Sequence, residues 1–308
     1  MAVEQSVISR RSSPSDVGHA IRVENLTFRY PGQTKPAVQG VSFSVARGEI
    51  FGLLGPSGAG KSTLQKVLTR QQRRFEGSVQ VLGKPLADRA QDYFETIGVG
   101  FELPNHYVKF TAIENLRFFA SLYRRKSRDP LELLALVGLQ DAAHKKVETF
   151  SKGMRMRLNF VRAIQHDPEI LFLDEPTAGL DPVNASTIKR VIADLRRAGK
   201  TIVLTTHNMN DVDQLCDRVS FMVAGRFAAL DAPETLKAKY GRRTIRITHG
   251  GDRIETDEFP LDGLADNSQF HSILKAGAVR TLHSQEASLD QVFSDVTGTS
   301  LDLAEEAA

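Results

Sequence analysis

The sequence predicts an α/β domain built on a mainly parallel sheet, followed by a small α+β accessory domain. Three observations predict it. Short apolar or β-branched runs alternate with helical stretches over about two hundred residues, as strands buried between two layers of helices do. Asp129–Pro130 and Asp181–Pro182 each offer an N-cap followed by proline at the first helical position, so two helices should start there. The organisation then shifts at Tyr240–Gly241, after which two short β-like runs flank Gly250–Gly251 as in a hairpin.

In chain order, residues 1–19 are polar, Ser-rich and aperiodic and read as a flexible arm. Ile21, Val23, Leu26, Phe28 and Tyr30 form a broken alternation closed by Pro31–Gly32, the pattern of a strand. Residues 49–54 make a compact apolar strand ending at Gly55, and 62–69 read as a helix. Residues 94–101 are strand-like. Residues 115–125 are helical, with Leu116, Phe119, Ala120 and Tyr123 on one face. Residues 170–173 and 201–205 look like buried parallel strands. Beyond the hairpin over 243–256, helix-like stretches follow at 268–276 and 289–296. These readings place one domain at 20–240, an accessory domain at 242–298 and a loose tail at 299–308.

Composition narrows the function classes. The chain has 308 residues, 41% hydrophobic and 25% charged, which suits an ordinary globular protein with a sizeable core. Its 40 basic and 37 acidic side chains nearly cancel, so no nucleic-acid partner is expected. The single cysteine, Cys216, excludes a disulfide within the chain and reads as a buried thiol. No window approaches the ~18–20 apolar residues of a membrane span. Arg10 and Arg11 precede no hydrophobic segment, so neither a signal peptide nor a twin-arginine export signal is expected. A cytoplasmic protein follows, reaching a membrane only through a partner.

The strongest chemical signal is Gly55-Pro56-Ser57-Gly58-Ala59-Gly60-Lys61-Ser62-Thr63, a complete G-x-x-x-x-G-K-[ST] phosphate-binding loop between a strand and a helix. Its glycines let backbone N–H groups turn inward as an anion nest, and the helix adds its positive end. Lys61 would reach the β- and γ-phosphates, and the Ser62 hydroxyl would ligate Mg²⁺. A flexible Gly-rich turn is the bland alternative, and the strand, helix and lysine together argue against it. The second signal is the apolar run 170–173 ending in Asp174-Glu175. It delivers Asp174 to the carboxyl end of a strand as an Mg²⁺ ligand and leaves Glu175 to polarise the attacking water. Many strands end in solvated carboxylates, so this signal gains weight from the phosphate loop. His207 follows another apolar strand; its place there favours a γ-phosphate contact over a structural role.

On these motifs the chain resembles the ATP-binding subunits of ABC transporters, over residues 21–240. The resemblance also rests on Tyr30, on Ser151-Lys152-Gly153-Met154-Arg155 and on Ala178-Gly179-Leu180-Asp181. It implies the P-loop NTPase fold of ABC type, with a mainly parallel core, an antiparallel β subdomain and a helical subdomain at about 103–165. It implies further that ATP and Mg²⁺ are bound, and that Tyr30 stacks on adenine, although simple strand packing would also place an aromatic there. Ser151 and Gly153 would cap the γ-phosphate held by the opposite subunit, Asp181 would lie in the loop crossing the dimer interface, and His207 would be the switch histidine. A head-to-tail pair follows, either a homodimer or a pair with a second ATPase subunit, beneath a membrane-spanning permease on the inner face of the cell membrane.

Two departures from the family pattern stand out. The usual signature Leu-Ser-Gly-Gly-Gln is here Phe150-Ser151-Lys152-Gly153-Met154, which keeps the phosphate-facing Ser151 and Gly153. Glu102 stands where glutamine is usual, as an oxygen ligand for Mg²⁺ and the attacking water that adds a charge. Residues 102–114 would form the loop meeting the membrane partner. Near the C-terminus, Ala287-Ser288-Leu289-Asp290-Gln291-Val292-Phe293 followed by Thr297-Gly298 resembles the ending of bacterial drug, lipid and polysaccharide exporter ATPases. The same residues would also form an amphipathic helix with Leu289, Val292, Phe293 and Val296 on a small sheet. A ribosome-associated ATPase would usually carry two such domains, and a DNA-repair ATPase a long coiled coil between Lys61 and Ser151, where no sustained heptads occur. An importer shares the chemistry; the C-terminal ending favours export.

Overall fold

The runs that read as buried strands are buried along their whole length: all five residues of 50–54 and all six of 201–206. The computed structural model describes residues 18–241, 244–251, 253–285 and 287–298. The expected arm up to residue 17 and the tail from 299 lie outside the described residues. In chain order the elements begin β1 (His19–Phe28), β2 (Val38–Ala46), β3 (Ile50–Leu54), α1 (Lys61–Leu68), β4 (Glu76–Val81), β5 (Lys84–Pro85), α2 (Tyr93–Thr96) and β6 (Ile97–Gly100). They continue with α3 (Ala112–Ala120), α4 (Pro130–Leu136), α5 (Lys152–Ile164), β7 (Ile170–Asp174), α6 (Pro182–Arg197), β8 (Thr201–Thr206), α7 (Met209–Leu215) and β9 (Arg218–Val223). The last are β10 (Arg226–Asp231), α8 (Pro233–Tyr240), β11 (Thr244–His249), β12 (Glu255–Pro260), α9 (Ser268–Lys275), β13 (Val279–Gln285) and α10 (Leu289–Thr297).

The chain divides into two compact units, one of residues 1–49 and 62–203, the other of 50–61 and 204–308. In the first, β2-β1-β4-β5 form an antiparallel sheet, the expected antiparallel subdomain. The order β8-β7-β6 builds a second sheet, with β6 and β7 parallel from Ile97↔Ile170 to Gly100↔Leu173. Helices α3, α4 and α5 fall within the expected helical span. Each begins on a side-chain cap: Thr111, in a capping box with Glu114, Asp129, and Ser151, which satisfies otherwise orphaned N–H groups.

Two expectations are corrected here. Residues 94–96 are a helical turn, and only 97–100 are strand. Tyr93 is fully buried and donates its hydroxyl to the Leu68 carbonyl at 2.6 Å, while its neighbour Phe94 is exposed; the turn lets the two rings diverge. Helix α3 starts three residues before the expected 115, because the capping box nucleates it at Thr111.

In the second unit, β10-β9-β3 are hydrogen-bonded in that order, β10 and β9 antiparallel and β3 and β9 parallel. The predicted hairpin is β11–β12, joined by β13 on the other side of β11. Ile247, Phe259 and Phe270 form its core, so α9 covers one face of this sheet. Helix α10 does not pack on the small sheet as expected. It packs with α8, α7 and β10, and Phe293 meets Phe221 edge-on at 5.2 Å. The small sheet's apolar face is already filled by Phe270, which leaves the stripe Leu289, Val292 and Phe293 to be buried elsewhere. Cys216 is buried, and burial holds its thiol well above the ordinary range. No helix among the described residues is long and apolar enough to cross a membrane.

Candidate active site

The second unit holds the loop from Gly55 to Lys61. Gly55 is buried, and a Cβ there would lie 2.1 Å from the Met222 carbonyl oxygen, so only glycine fits. Gly58 and Gly60 take positive φ, which glycine adopts at no steric cost. The loop is pinned where Ala59 N–H reaches the Pro56 carbonyl at 3.2 Å and Gly225 N–H reaches the Ala59 carbonyl at 2.9 Å. Ser57 and Gly58 are exposed at the tip. The Lys61 ammonium spans the loop, donating to the carbonyls of Gly55 and, at 3.0 Å, Pro56. In the same unit His207 lies exposed just beyond β8, next to Asn208, which caps α7.

In the first unit, Ser62 and Thr63 occupy the first turn of α1. Tyr30 is half-buried just past β1, with its hydroxyl 3.2 Å from Thr63 Oγ1 and its ring edge-on to Phe28. Asp174 ends β7 half-buried, and Glu175 follows, buried, at φ +48°. A non-glycine residue in that left-handed region costs on the order of 1–3 kcal/mol, a kind of strain that clusters at functional sites.

Ser151 is exposed and caps α5, its Oγ accepting from Met154 N–H at 3.2 Å. The signature adjoins the loop before α6. A Cβ added at Gly153 would lie 3.4 Å from Leu180, and one at Gly179 would lie 3.2 Å from the Lys152 ammonium. Asp181 caps α6 through Val183 N–H at 3.1 Å and Asn184 N–H at 3.0 Å. The hydrogen bonds from Asn184 hold its carboxyl below the usual range.

Glu102 is exposed in a bend after β6. The residues beside it are not free: Asn159 holds the Phe101 carbonyl and Arg162 the Asn105 carbonyl. Gly100, Phe101, Asn159, Leu173 and Asp174 line one small cleft. Sequence reading missed Asn159 and Arg162; the only signal is that two polar residues occupy the buried side of α5. Among the described residues no group of three or more His, Cys, Asp or Glu side chains could hold a metal. An Mg²⁺ ion instead needs few protein ligands and hard oxygens, which a Ser62 hydroxyl and an Asp174 carboxylate are.

The chain is similar to known proteins along most of its length. The ABC transporter family matches residues 38–178, and the fluoroquinolone efflux ABC transporter C-terminal domain matches residues 243–286. A fluoroquinolones export ATP-binding protein of Mycobacterium tuberculosis is 56% identical over 299 residues, covering 96% of this chain and 99% of that protein. A linearmycin resistance ATP-binding protein of Bacillus subtilis is 35% identical over 310 residues, covering 91% and 99%. A dimeric ATP-binding cassette in a post-hydrolysis state bound to ADP and Pi superimposes with a TM-score of 0.64 at 26% identity, covering 69% of this chain and 98% of that one. The chain therefore belongs to the ATP-binding subunits of ABC transporters, among their export proteins, and is an ATPase of that type.

Proposed function

We propose that this ATPase works with Mg²⁺ as a head-to-tail homodimer that drives export of fluoroquinolone-type drugs through a separate membrane-spanning permease, from the inner face of the cell membrane. The observation that carries the shared site is Ser151. It is exposed at the start of a 13-residue helix with no acidic residue in its first turn, so the positive helix end points outward, where a second subunit's γ-phosphate would be met. The drug class rests on the 56% identity that runs through nearly the whole chain and on the match of residues 243–286.

In this reading Tyr30 stacks on adenine, the N–H groups of Gly55–Thr63 cradle the phosphates, and the Lys61 ammonium neutralises charge on the β- and γ-phosphates. Ser62, Asp174 and Glu102 are the oxygen donors toward Mg²⁺, which when bound offsets phosphate charge. Glu175 accepts a proton from the attacking water on its carboxylate. His207 donates to the γ-phosphate, and Asp181 shapes the loop at the interface. Hydrolysis and product release would reopen the pair.

The test is fluoroquinolone resistance in cells expressing the chain with its permease. Resistance should rise with the unaltered chain and stay at background with Lys61→Ala. Equal resistance with both would overturn the reading.

A further inference from the structure

Helix α5 does more than present Ser151. Asn159 Nδ2 donates to the Phe101 carbonyl at 2.7 Å. Arg162 donates from one terminal nitrogen to the Asn105 carbonyl and from the other to Asn159 Oδ1 at 2.7 Å. His106 Nε2 meets the Arg155 carbonyl at 3.0 Å, tying the same segment to the start of α5. The main chain is thus held on both sides of Glu102, whose own side chain is exposed.

The cost of this arrangement argues for a purpose. Asn159 and Arg162 are 3% and 8% exposed. The guanidinium lies 4.5 Å over the Phe119 ring and has no carboxylate partner among the described residues. Burying such a cation is expensive, and apolar side chains of similar volume would often be as stable. What apolar side chains could not do is hold two carbonyls in place. Asn159 also lines the cleft that contains Phe101 and Asp174.

We propose that Asn159 and Arg162 are positioning residues for hydrolysis, fixing the backbone at 101–105 so that Glu102 is presented at the cleft lined by Asp174. This rests on the reading of Glu102 and Asp174 as ligands toward Mg²⁺. The clamp also has a mechanical consequence. Ser151 and Asn159 are about 12 Å apart along one rigid helix, so a displacement of α5 when Ser151 meets a nucleotide carries the Glu102 segment with it.

Asn159→Asp separates positioning from stability. It keeps an oxygen for Arg162 and places a carboxylate beside the buried guanidinium, while removing the N–H donor to Phe101. The full-length variant should melt no earlier than the unaltered chain. Chymotrypsin should cut after Phe101 and Tyr107 roughly tenfold faster, as expected for one lost hydrogen bond in a locally opening segment. The Mg²⁺ concentration for half-maximal hydrolysis should rise several-fold, with metal-free ATP affinity unchanged. Should Asn159→Asp fold poorly, Arg162→Lys, which releases Asn105, is read by the same cleavage. Unchanged cleavage in both variants overturns the clamp. Faster cleavage, with Mg²⁺ dependence indifferent to Asn159→Asp and to Glu102→Ala alike, would leave the clamp standing and overturn the role of Glu102.

Discussion

The hydroxyls of Tyr30 and Thr63 lie 3.2 Å apart, joining the residue just past β1 to the last residue of the phosphate-loop motif. The ring is braced at one edge by Phe28, 4.9 Å away at 89°, which fixes its orientation for the proposed stacking on adenine. Tyr30→Ala should therefore weaken ATP binding by about tenfold, as for loss of a base-stacking contact of ~1–3 kcal/mol. Tyr30→Phe keeps the stacking face and should lose at most a few-fold. Titration with a fluorescent ATP analogue distinguishes the two. Equal affinities for both variants and the unaltered chain would remove Tyr30 from the site.

Glu175→Gln is close to isosteric and should tolerate the φ of +48° that Glu175 adopts, so the fold is kept while the proposed base is removed. Hydrolysis should fall by ~10²–10⁴-fold, with ATP still bound. The variant should elute as a dimer in size-exclusion chromatography with saturating ATP and Mg²⁺. A hydrolysis rate near that of the unaltered chain would exclude Glu175 as the base.

The helical region should be acid-sensitive. Burial lowers the His106 pKa from 6.5 to about 4, and burial also lowers that of His166, which stacks on Tyr123 with centroids 3.8 Å apart. Between about pH 6.5 and pH 4 the unfolded chain then binds more protons than the folded one. The stability that the neutral His106 imidazole contributes is complete above the upper value and is lost as pH falls through that window, and His166 acts in the same direction. His106→Gln retains a donor for the Arg155 carbonyl but does not titrate. Its melting temperature should drop less than that of the unaltered chain between about pH 7 and pH 5. An identical drop in both would show that His106 is not the sensor.

What was legible in the sequence was local. The caps at Asp129 and Asp181 are set by residues two and three positions on, and β3, β7 and β8 announce themselves as continuous apolar runs. The phosphate loop is legible because one backbone conformation dictates its glycines. Strand β4 was missed because only Val79 and Val81 of its six residues are buried, and β13 because its register exists only against β11. The clamp could not be read because Arg162 and Asn105 are 57 residues apart and Asn159 and Phe101 are 58 apart. The seat of α10 depended on Phe221, in a strand some seventy residues earlier.

The shared site is tested most directly by the ATPase rate of an equal mixture of Ser151→Arg and Lys61→Ala proteins. Arginine at position 151 would block the place where the partner's γ-phosphate docks, while its own Tyr30 and Gly55–Thr63 loop stay intact. Each variant alone should be inactive, because every site in its homodimer carries the lesion. In a mixed pair one site receives both lesions and the other receives neither. Random pairing makes about half the dimers mixed, each with one intact site of two, so about a quarter of the unaltered rate should return if the sites act independently. A mixture as inactive as its components, with dimers present, would contradict a site shared between subunits.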